Sequence, residues 1–211
     1  MSMKKPARRA TPRPYHHGDL RTAVLAAAEA IIEREGIDAL TLRAVARAVG
    51  VSHTAPKNHF GDLEGLLSEL AAVGYRRYGE TLAAAMDAAG VDPRARMRAM
   101  GRAYVGFARQ HPGLFLLMFR SERLDMTRPA LCEAIEAARA ALRSAAASSA
   151  TVKPSTPLQA AARATASWSL VHGFAMLLLD GRLKNTIASL PDGAGADTLL
   201  EAILDVTRVD G

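Results

Sequence analysis

Glycine and proline residues divide this chain into segments that each carry the residue spacing of a helix. The first segment, about 19–35, has one apolar face made of Leu20, Val24, Ala27, Ala28, Ile31 and Ile32. Gly36 follows it as a residue type that commonly ends helices. Alanine, leucine and arginine dominate the chain, and no segment alternates apolar with polar residues as a strand would. The pattern therefore predicts an all-α fold.

The same glycine and proline breaks predict about nine helical segments. They lie at about 19–35, 41–49, 53–59, 62–89, 94–110, 114–119, 128–147, 157–183 and 197–209. We expect them to form two folded units, a small N-terminal domain at 19–89 and a helical bundle at 90–211.

Composition restricts the class of protein. Apolar residues make up 49% of the 211 residues, enough for a sizeable core. No run of 18 apolar residues predicts a membrane span, and the N-terminus has no apolar core of a secretion signal. The single cysteine, Cys132, has no internal disulfide partner. We therefore expect a cytoplasmic protein that does not bind a membrane.

The net charge of +6 is concentrated at the N-terminus. Residues 1–14 hold five of the 27 lysines and arginines and no acid, so 22 basic and 21 acidic residues remain elsewhere. Pro6, Pro12 and Pro14 disfavour a helix there. We expect residues 1–18 to be a disordered basic arm suited to the DNA backbone or minor groove. A merely solubilising terminus is the alternative.

The segment from Thr41 to Phe60 has the pattern of a helix-turn-helix. Gly50 separates two short helices and can adopt the positive φ of a tight turn. Ala46, one helical turn earlier, lets the helices approach closely. Ser52 is expected to cap the second helix, and Asp62 the helix after it.

The second of these helices presents a polar face without an acid, which favours the major groove of DNA. Arg43 and Arg47 on the preceding helix are positioned to bind phosphates. The candidate DNA-binding residues are Thr41, Arg43, Ser52, His53, Thr54, Ala55, Lys57, Asn58 and His59. An ordinary helical hairpin with a glycine turn is the alternative reading of this pattern.

Residues 19–85 resemble the N-terminal domain of the TetR (tetracycline-repressor-like) regulators. The resemblance is carried by the helix ending at Gly36 and by TLRAVA at 41–46, VGVS at 49–52, HF at 59–60 and LL at 66–67. It implies an all-helical homodimer that binds operator DNA, usually as a repressor. It also implies release from DNA when a small apolar or aromatic ligand enters the C-terminal domain. Lys57 stands where the family usually has tyrosine, and Leu63 where it often has lysine.

The C-terminal half resembles one TetR subgroup through WSLVHG at 168–173, a Trp-x-x-x-His-Gly element, and HPGLFLLMF at 111–119. Trp168 and His172 share a helix face because they are four residues apart. The resemblance implies an apolar effector pocket, for which the candidates are Tyr104, Phe107, Phe115, Met118, Phe119, Trp168, His172 and Met176. The same spacing is also typical of an ordinary packed core.

The resemblance further implies a homodimer through the last two helices. The candidate interface residues are Ala160, Ala161, Ala164, Leu199, Leu200, Ile203 and Leu204. Two-fold symmetry then predicts an inverted-repeat operator.

The sequence holds no constellation typical of an enzyme or a metal site. The six histidines lack zinc-ligand spacing, and no phosphate-binding glycine loop or nucleophile elbow is present. We therefore expect no catalytic residues, no metal and no cofactor. One alternative function is a helical small-molecule binding or interaction protein with only non-specific DNA binding. Another is a membrane-surface protein with amphipathic basic helices, which the near-neutral charge outside residues 1–14 disfavours.

Overall fold

The computed structural model describes residues 17–149 and 156–206, and over these residues it contains helices and no strand. Its ten α-helices are α1 (His17–Glu35), α2 (Leu42–Val49), α3 (Ala55–Phe60), α4 (Leu63–Ala88), α5 (Pro93–Gln110), α6 (Pro112–Met118), α7 (Pro129–Ser149), α8 (Pro157–Leu179), α9 (Lys184–Ala188) and α10 (Ala196–Val206). Short 3-10 turns lie at Ile37–Ala39, Ser121–Arg123 and Pro191–Gly193. The predicted all-α class is confirmed.

Two of the differences between the predicted and observed elements concern the N-terminal arm and the end of α8. The basic arm falls outside the described residues except for positions 17 and 18, which already belong to α1. The helix predicted to reach Leu183 ends at Leu179, because the chain reverses through Gly181, which has a φ of 70°. The short helix α9 follows this reversal and was not predicted.

Helix α4 joins the two halves of the chain into one core. It packs against α1 and α3 from the N-terminal half of the chain and against α5, α6 and α7 from the C-terminal half. Leu66 and Leu70 near its start and Leu82 near its end are fully buried in one continuous apolar cluster. The N-terminal domain and the C-terminal bundle are therefore neighbouring parts of a shared core, with α4 common to both.

Side-chain caps fix where several helices begin. Thr41 Oγ1 accepts a hydrogen bond from the N–H of Ala44 at the start of α2. Asp62 Oδ1 accepts from the N–H of Gly65 at 2.7 Å and starts α4, as predicted. The two caps thus set the starts of α2 and α4, on either side of α3.

Candidate DNA-binding surface and aromatic cluster

The turn between α2 and α3 depends on Gly50, which lies in the left-handed region with φ 75° and ψ 32°. The N–H of Gly50 donates to Arg47 O at 3.3 Å, and that of Val51 donates to Ala46 O at 3.0 Å. These bonds satisfy carbonyls at the end of α2 and set the direction in which the chain enters α3.

The face of the helix-turn-helix that packs against the rest of the protein is apolar and buried. Val45, Ala46 and Phe60 are almost completely buried, and Pro56 in the first turn of α3 is buried with them. Because proline lacks an N–H, its place in the first turn leaves no helical hydrogen bond unmade. Burying Pro56 and Phe60 turns the opposite face of α3 toward solvent.

Most of the predicted DNA-binding residues are exposed to solvent. Seven of the nine are exposed: Thr41, Arg43, Ser52, His53, Thr54, Lys57 and Asn58. The other two, Ala55 and His59, are half-buried. The predicted residues of the turn and of α3 therefore lie on one continuous stretch of chain with side chains available to a partner.

The predicted start of α3 and its predicted cap are both wrong. The helix begins at Ala55 rather than His53, and no side chain caps it. The main-chain carbonyl of Ser52 accepts from the N–H of Ala55 at 3.0 Å. The hydroxyl of Ser52 lies 3.1 Å from that of Thr54 instead of reaching a helix N–H. The two residues before α3 form a separate turn and leave the Ser52 and Thr54 hydroxyls on the exposed surface.

The charge on this surface is positive. No carboxylate occurs between Thr41 and Phe60, while Arg43, Arg47 and Lys57 are exposed. The nearest flanking acids are engaged elsewhere, since Asp38 pairs with Arg123 at 2.5 Å and Asp62 caps α4. A surface of this kind attracts a phosphate backbone and meets little local repulsion.

The predicted pocket residues form a packed aromatic cluster between α5, α6 and α8. Tyr104, Phe107, Phe115 and Met118 are buried; Phe119, His172 and Met176 are half-buried. Trp168 is 48% exposed and forms the outer edge of the cluster. Ring contacts join Tyr104, Phe115, Phe119, Trp168 and His172 into one cluster that is open to solvent at Trp168.

The hydroxyl of Tyr104 lies at the centre of the polar contacts in this cluster. Trp168 Nε1 donates to it at 3.3 Å, and it lies 2.8 Å from Nδ1 of His172. The indole N–H can only donate, whereas the Tyr104 hydroxyl donates to His172 Nδ1 when the neutral imidazole carries its proton on Nε2 and accepts from it in the other tautomer. Burial lowers the pKa of His172 below its ordinary value, which agrees with this neutral form.

Sequence reasoning missed two tyrosines of α4 that border this cluster. The ring of Tyr78 meets the rings of Tyr104 and Phe107 edge-on, each at 5.5 Å between centroids. The Tyr75 hydroxyl donates to Met118 O at 2.8 Å. Burial raises the pKa of both tyrosines. Their spacing of three residues, which places both on one face of an otherwise alanine-rich helix, is the sequence signal that could have identified them.

A shallow groove lies beside the cluster, between α4 and α5. Its lining shares Phe107 with the predicted pocket and otherwise comprises Thr81, Ala85, Ala99, Arg102, Ala103, Gly106 and Gln110. Within residues 17–149 and 156–206 no three metal-ligating side chains gather as a metal site would require. None of the helices over that part of the chain combines the length and apolarity that crossing a bilayer needs.

The fold and its surface define a class: an all-helical protein with an N-terminal helix-turn-helix. Two family models match the chain, "Bacterial regulatory proteins, tetR family" over residues 24–70 and "Tetracyclin repressor-like, C-terminal domain" over residues 97–206. The second alone spans more than half of the chain. The protein belongs to the TetR family of transcriptional regulators and carries that family's helix-turn-helix DNA-binding domain.

Solved structures agree with this assignment. A protein described as having unknown function from Rhodococcus sp. RHA1 is 35% identical, with a TM-score of 0.73 over 92% of this chain and 96% of that one. The TetR family transcriptional regulator PfmR from Thermus thermophilus shares the fold at 19% identity and a TM-score of 0.59, covering 87% and 95%. A putative TetR-family regulator from Rhodococcus sp. does so at 21% and 0.57, covering 90% and 96%. No curated protein gave a significant match.

Proposed function

We propose that this regulator is a homodimeric repressor that binds an inverted-repeat operator through α3 and leaves it when a small aromatic ligand engages the cluster around His172. The exposed, acid-free surface of α2 and α3 is the observation that supports DNA binding most strongly. The proposal includes no catalytic step and places the protein on the bacterial chromosome in the cytoplasm.

The DNA contacts are proposed to divide by residue type. Arg43 and Lys57 bind phosphates, and the Thr41 hydroxyl, which accepts the capping bond from Ala44, still has its proton to donate to a phosphate. Base edges in the major groove are read by His53, Thr54 and Asn58, with Ser52, Ala55 and His59 at the edges of the contact.

The proposed dimer interface is the first half of α8 together with α10. Every residue from Pro157 to Ser169 is exposed in the protomer, although Ala160 and Ala164 continue the helix face that is buried further along at Val171. A second copy of the chain is the proposed occupant of this face. Two-fold symmetry through α8 and α10 would place the two α3 helices about 34–36 Å apart, or a multiple of the helical turn.

The proposed ligand is a flat aromatic molecule with a hydrogen-bond acceptor. We propose the tautomer with the proton on Nε2, so that His172 offers an N–H among the rings of Phe119, Phe115 and Trp168, whose centroids lie 4.7, 5.7 and 5.5 Å from its own. Because the other cluster members are packed, the half-exposed Trp168 is the side chain we propose to move when a ligand enters. A ligand with a carbonyl or carboxylate group would satisfy the imidazole donor.

DNA binding is tested by footprinting purified dimer on the DNA that flanks its own gene. A protected inverted repeat supports the proposal. Salt-sensitive binding without a footprint would favour the alternative, a helical small-molecule binding or interaction protein with only non-specific DNA affinity.

Ligand binding is tested through Trp168, the single tryptophan of the chain. Small aromatic compounds with and without a carboxylate are titrated while its fluorescence is recorded. We expect the carboxylates to bind more tightly to wild type than to His172→Phe, and to release the operator. Equal affinity for both proteins would remove His172 from the proposed site.

A further inference from the structure

An arginine from the C-terminal half of the chain reaches the end of α3. Arg128 immediately precedes α7, and its Nη2 donates to the main-chain oxygen of Phe60 at 2.7 Å. Phe60 is the last residue of α3, where carbonyls have no partner within the helix. A cationic donor at this end also interacts favourably with the helix dipole. Arg128 therefore binds a carbonyl at the C-terminal end of α3 that the turns of the helix leave without a partner.

The position of Arg128 is itself fixed by α4. Its Nη1 lies 3.6 Å from Glu69 Oε1, and Arg21 of α1 pairs with the same carboxylate at 2.5 Å. The main-chain N–H of Asp125 donates to the hydroxyl of Ser68 at 2.8 Å, and Ser68 is fully buried. The segment 125–128 is thus fastened to α4 at two neighbouring positions.

Gly65 of α4 provides the space that the Arg128 guanidinium occupies. A Cβ atom at this position would lie 2.2 Å from Arg128 Nη2 and 2.1 Å from the Phe60 oxygen. Both distances are far below van der Waals contact, so α3 and the guanidinium approach α4 only because residue 65 has no side chain. The main chain at Gly65, the Phe60 carbonyl and the Arg128 guanidinium therefore form one close-packed junction between α3, α4 and the start of α7.

We infer that Arg128 is a positioning residue for α3: it sets the orientation of that helix on α4, and thereby operator affinity, without contacting DNA. The inference rests on the proposed role of α3 in DNA binding. On this inference, a residue outside the helix-turn-helix affects how well that motif fits its operator.

The test compares Arg128→Ala with Arg123→Ala by operator titration over a range of salt concentrations. Arg123 is the matched control because it comes from the same segment and also pairs with the DNA-binding half, but through the exposed Asp38 and not through α3. We expect Arg128→Ala to bind the operator at least about tenfold more weakly, the effect of losing one charged hydrogen bond, with the same salt slope as wild type. Arg123→Ala should bind within about twofold of wild type.

Two results would overturn the inference. Unchanged operator affinity in Arg128→Ala would show that α3 does not need the contact. A salt slope reduced by about one unit would show that Arg128 contacts a phosphate directly.

Arg128→Lys keeps the charge but loses the planar fork, so it decides the question if the alanine variant does not fold. Amide hydrogen exchange of this variant measures the local stability of the same junction in the absence of DNA. Faster exchange confined to α3 and its turn into α4 supports the inference, and exchange identical to wild type refutes it. Because hydrogen exchange needs no DNA, it tests the inference independently of the proposed function. The proposed function fails instead if the wild-type protein binds no specific operator.

Discussion

Glu33 and Gly113 are joined across the two halves of the chain: Glu33 Oε2 of α1 accepts a hydrogen bond from the main-chain N–H of Gly113 at 2.8 Å. Its other carboxylate oxygen accepts from the N–H of Leu114 at 3.0 Å. The Glu33 side chain therefore caps α6 from another helix. A Cβ on Gly113 would lie 2.5 Å from Ile32 O, so α6 begins directly against the backbone of α1. The helix that carries Phe115 of the aromatic cluster is thereby attached to the DNA-binding half.

Replacing Glu33 with alanine should destabilise the protein. Two N–H groups at the start of α6 lose their acceptor, and a loss of a cap of this kind costs about 1–2 kcal/mol in the free energy of unfolding. Urea unfolding followed by circular dichroism measures the change. Glu35→Ala is the control, because Glu35 pairs only with its exposed neighbour Arg34 among the contacts described; it should change the free energy by less than about 0.5 kcal/mol. Equal effects would contradict the capping role.

Replacing Gly50 with alanine should destabilise the turn of the helix-turn-helix. A side chain at a φ of 75° costs about 1–2 kcal/mol. Gly106→Ala is the opposite case: Gly106 lies inside α5 with no atom within 4 Å of an added Cβ, so we expect a gain of roughly 0.5–1 kcal/mol. Thermal unfolding of both variants checks that the two changes in the free energy of unfolding have opposite signs. A stabilised Gly50→Ala protein would show that the turn tolerates another φ.

Acidification should weaken the fold through His172. Burial lowers the pKa of His172 in the folded state, whereas the unfolded chain has an ordinary value near 6.5. Above that pH both states are neutral and His172 adds no pH dependence. As the pH falls below it, the unfolded state takes up a proton first, so the free energy of unfolding decreases until the folded pKa is reached. Wild type should therefore lose more stability than His172→Gln between pH 7 and the folded pKa; parallel pH profiles would exclude this linkage.

Replacing Lys57 with alanine should weaken operator binding and lower the salt slope by about one unit, since one phosphate contact is lost. The measurement is the affinity at several salt concentrations. Arg139→Ala, an equal change in charge at an exposed position of α7, is expected to leave the slope as it is. An unchanged slope in Lys57→Ala would refute the phosphate contact.

Replacing Ala164 with lysine should dissociate the proposed dimer, because a charge would be placed on the exposed continuation of the α8 face. Sedimentation velocity over a range of protein concentrations reports the oligomeric state. Ala140→Lys introduces the same residue at an exposed position of α7 and is expected to stay dimeric. A dimer that persists in Ala164→Lys would move the interface away from this face.

Local signals predicted the features that depend on neighbouring residues. Gly50 was predicted to form the turn and Asp62 to cap α4, and both do so, because left-handed backbone and side-chain caps involve residues only a few positions apart. The break at Gly181 was missed since Leu178, Leu179 and Leu183 continue the helical period across it. Ser52 was assigned as a cap for a similar reason: the residue type suits the role, but the turn directs its hydroxyl elsewhere.

The sequence by itself determined the all-helical class, the helix-turn-helix and the acid-free face of α3, because helical periodicity, glycine turns and charge patterns are encoded within short stretches of chain. Only the tertiary structure decided that Tyr104 joins Trp168 to His172, that Glu33 caps α6, and that Arg128 reaches Phe60. These partners lie 64 to 80 residues apart. Their meeting depends on how the helices that carry them pack, and no local pattern in the sequence specifies that packing.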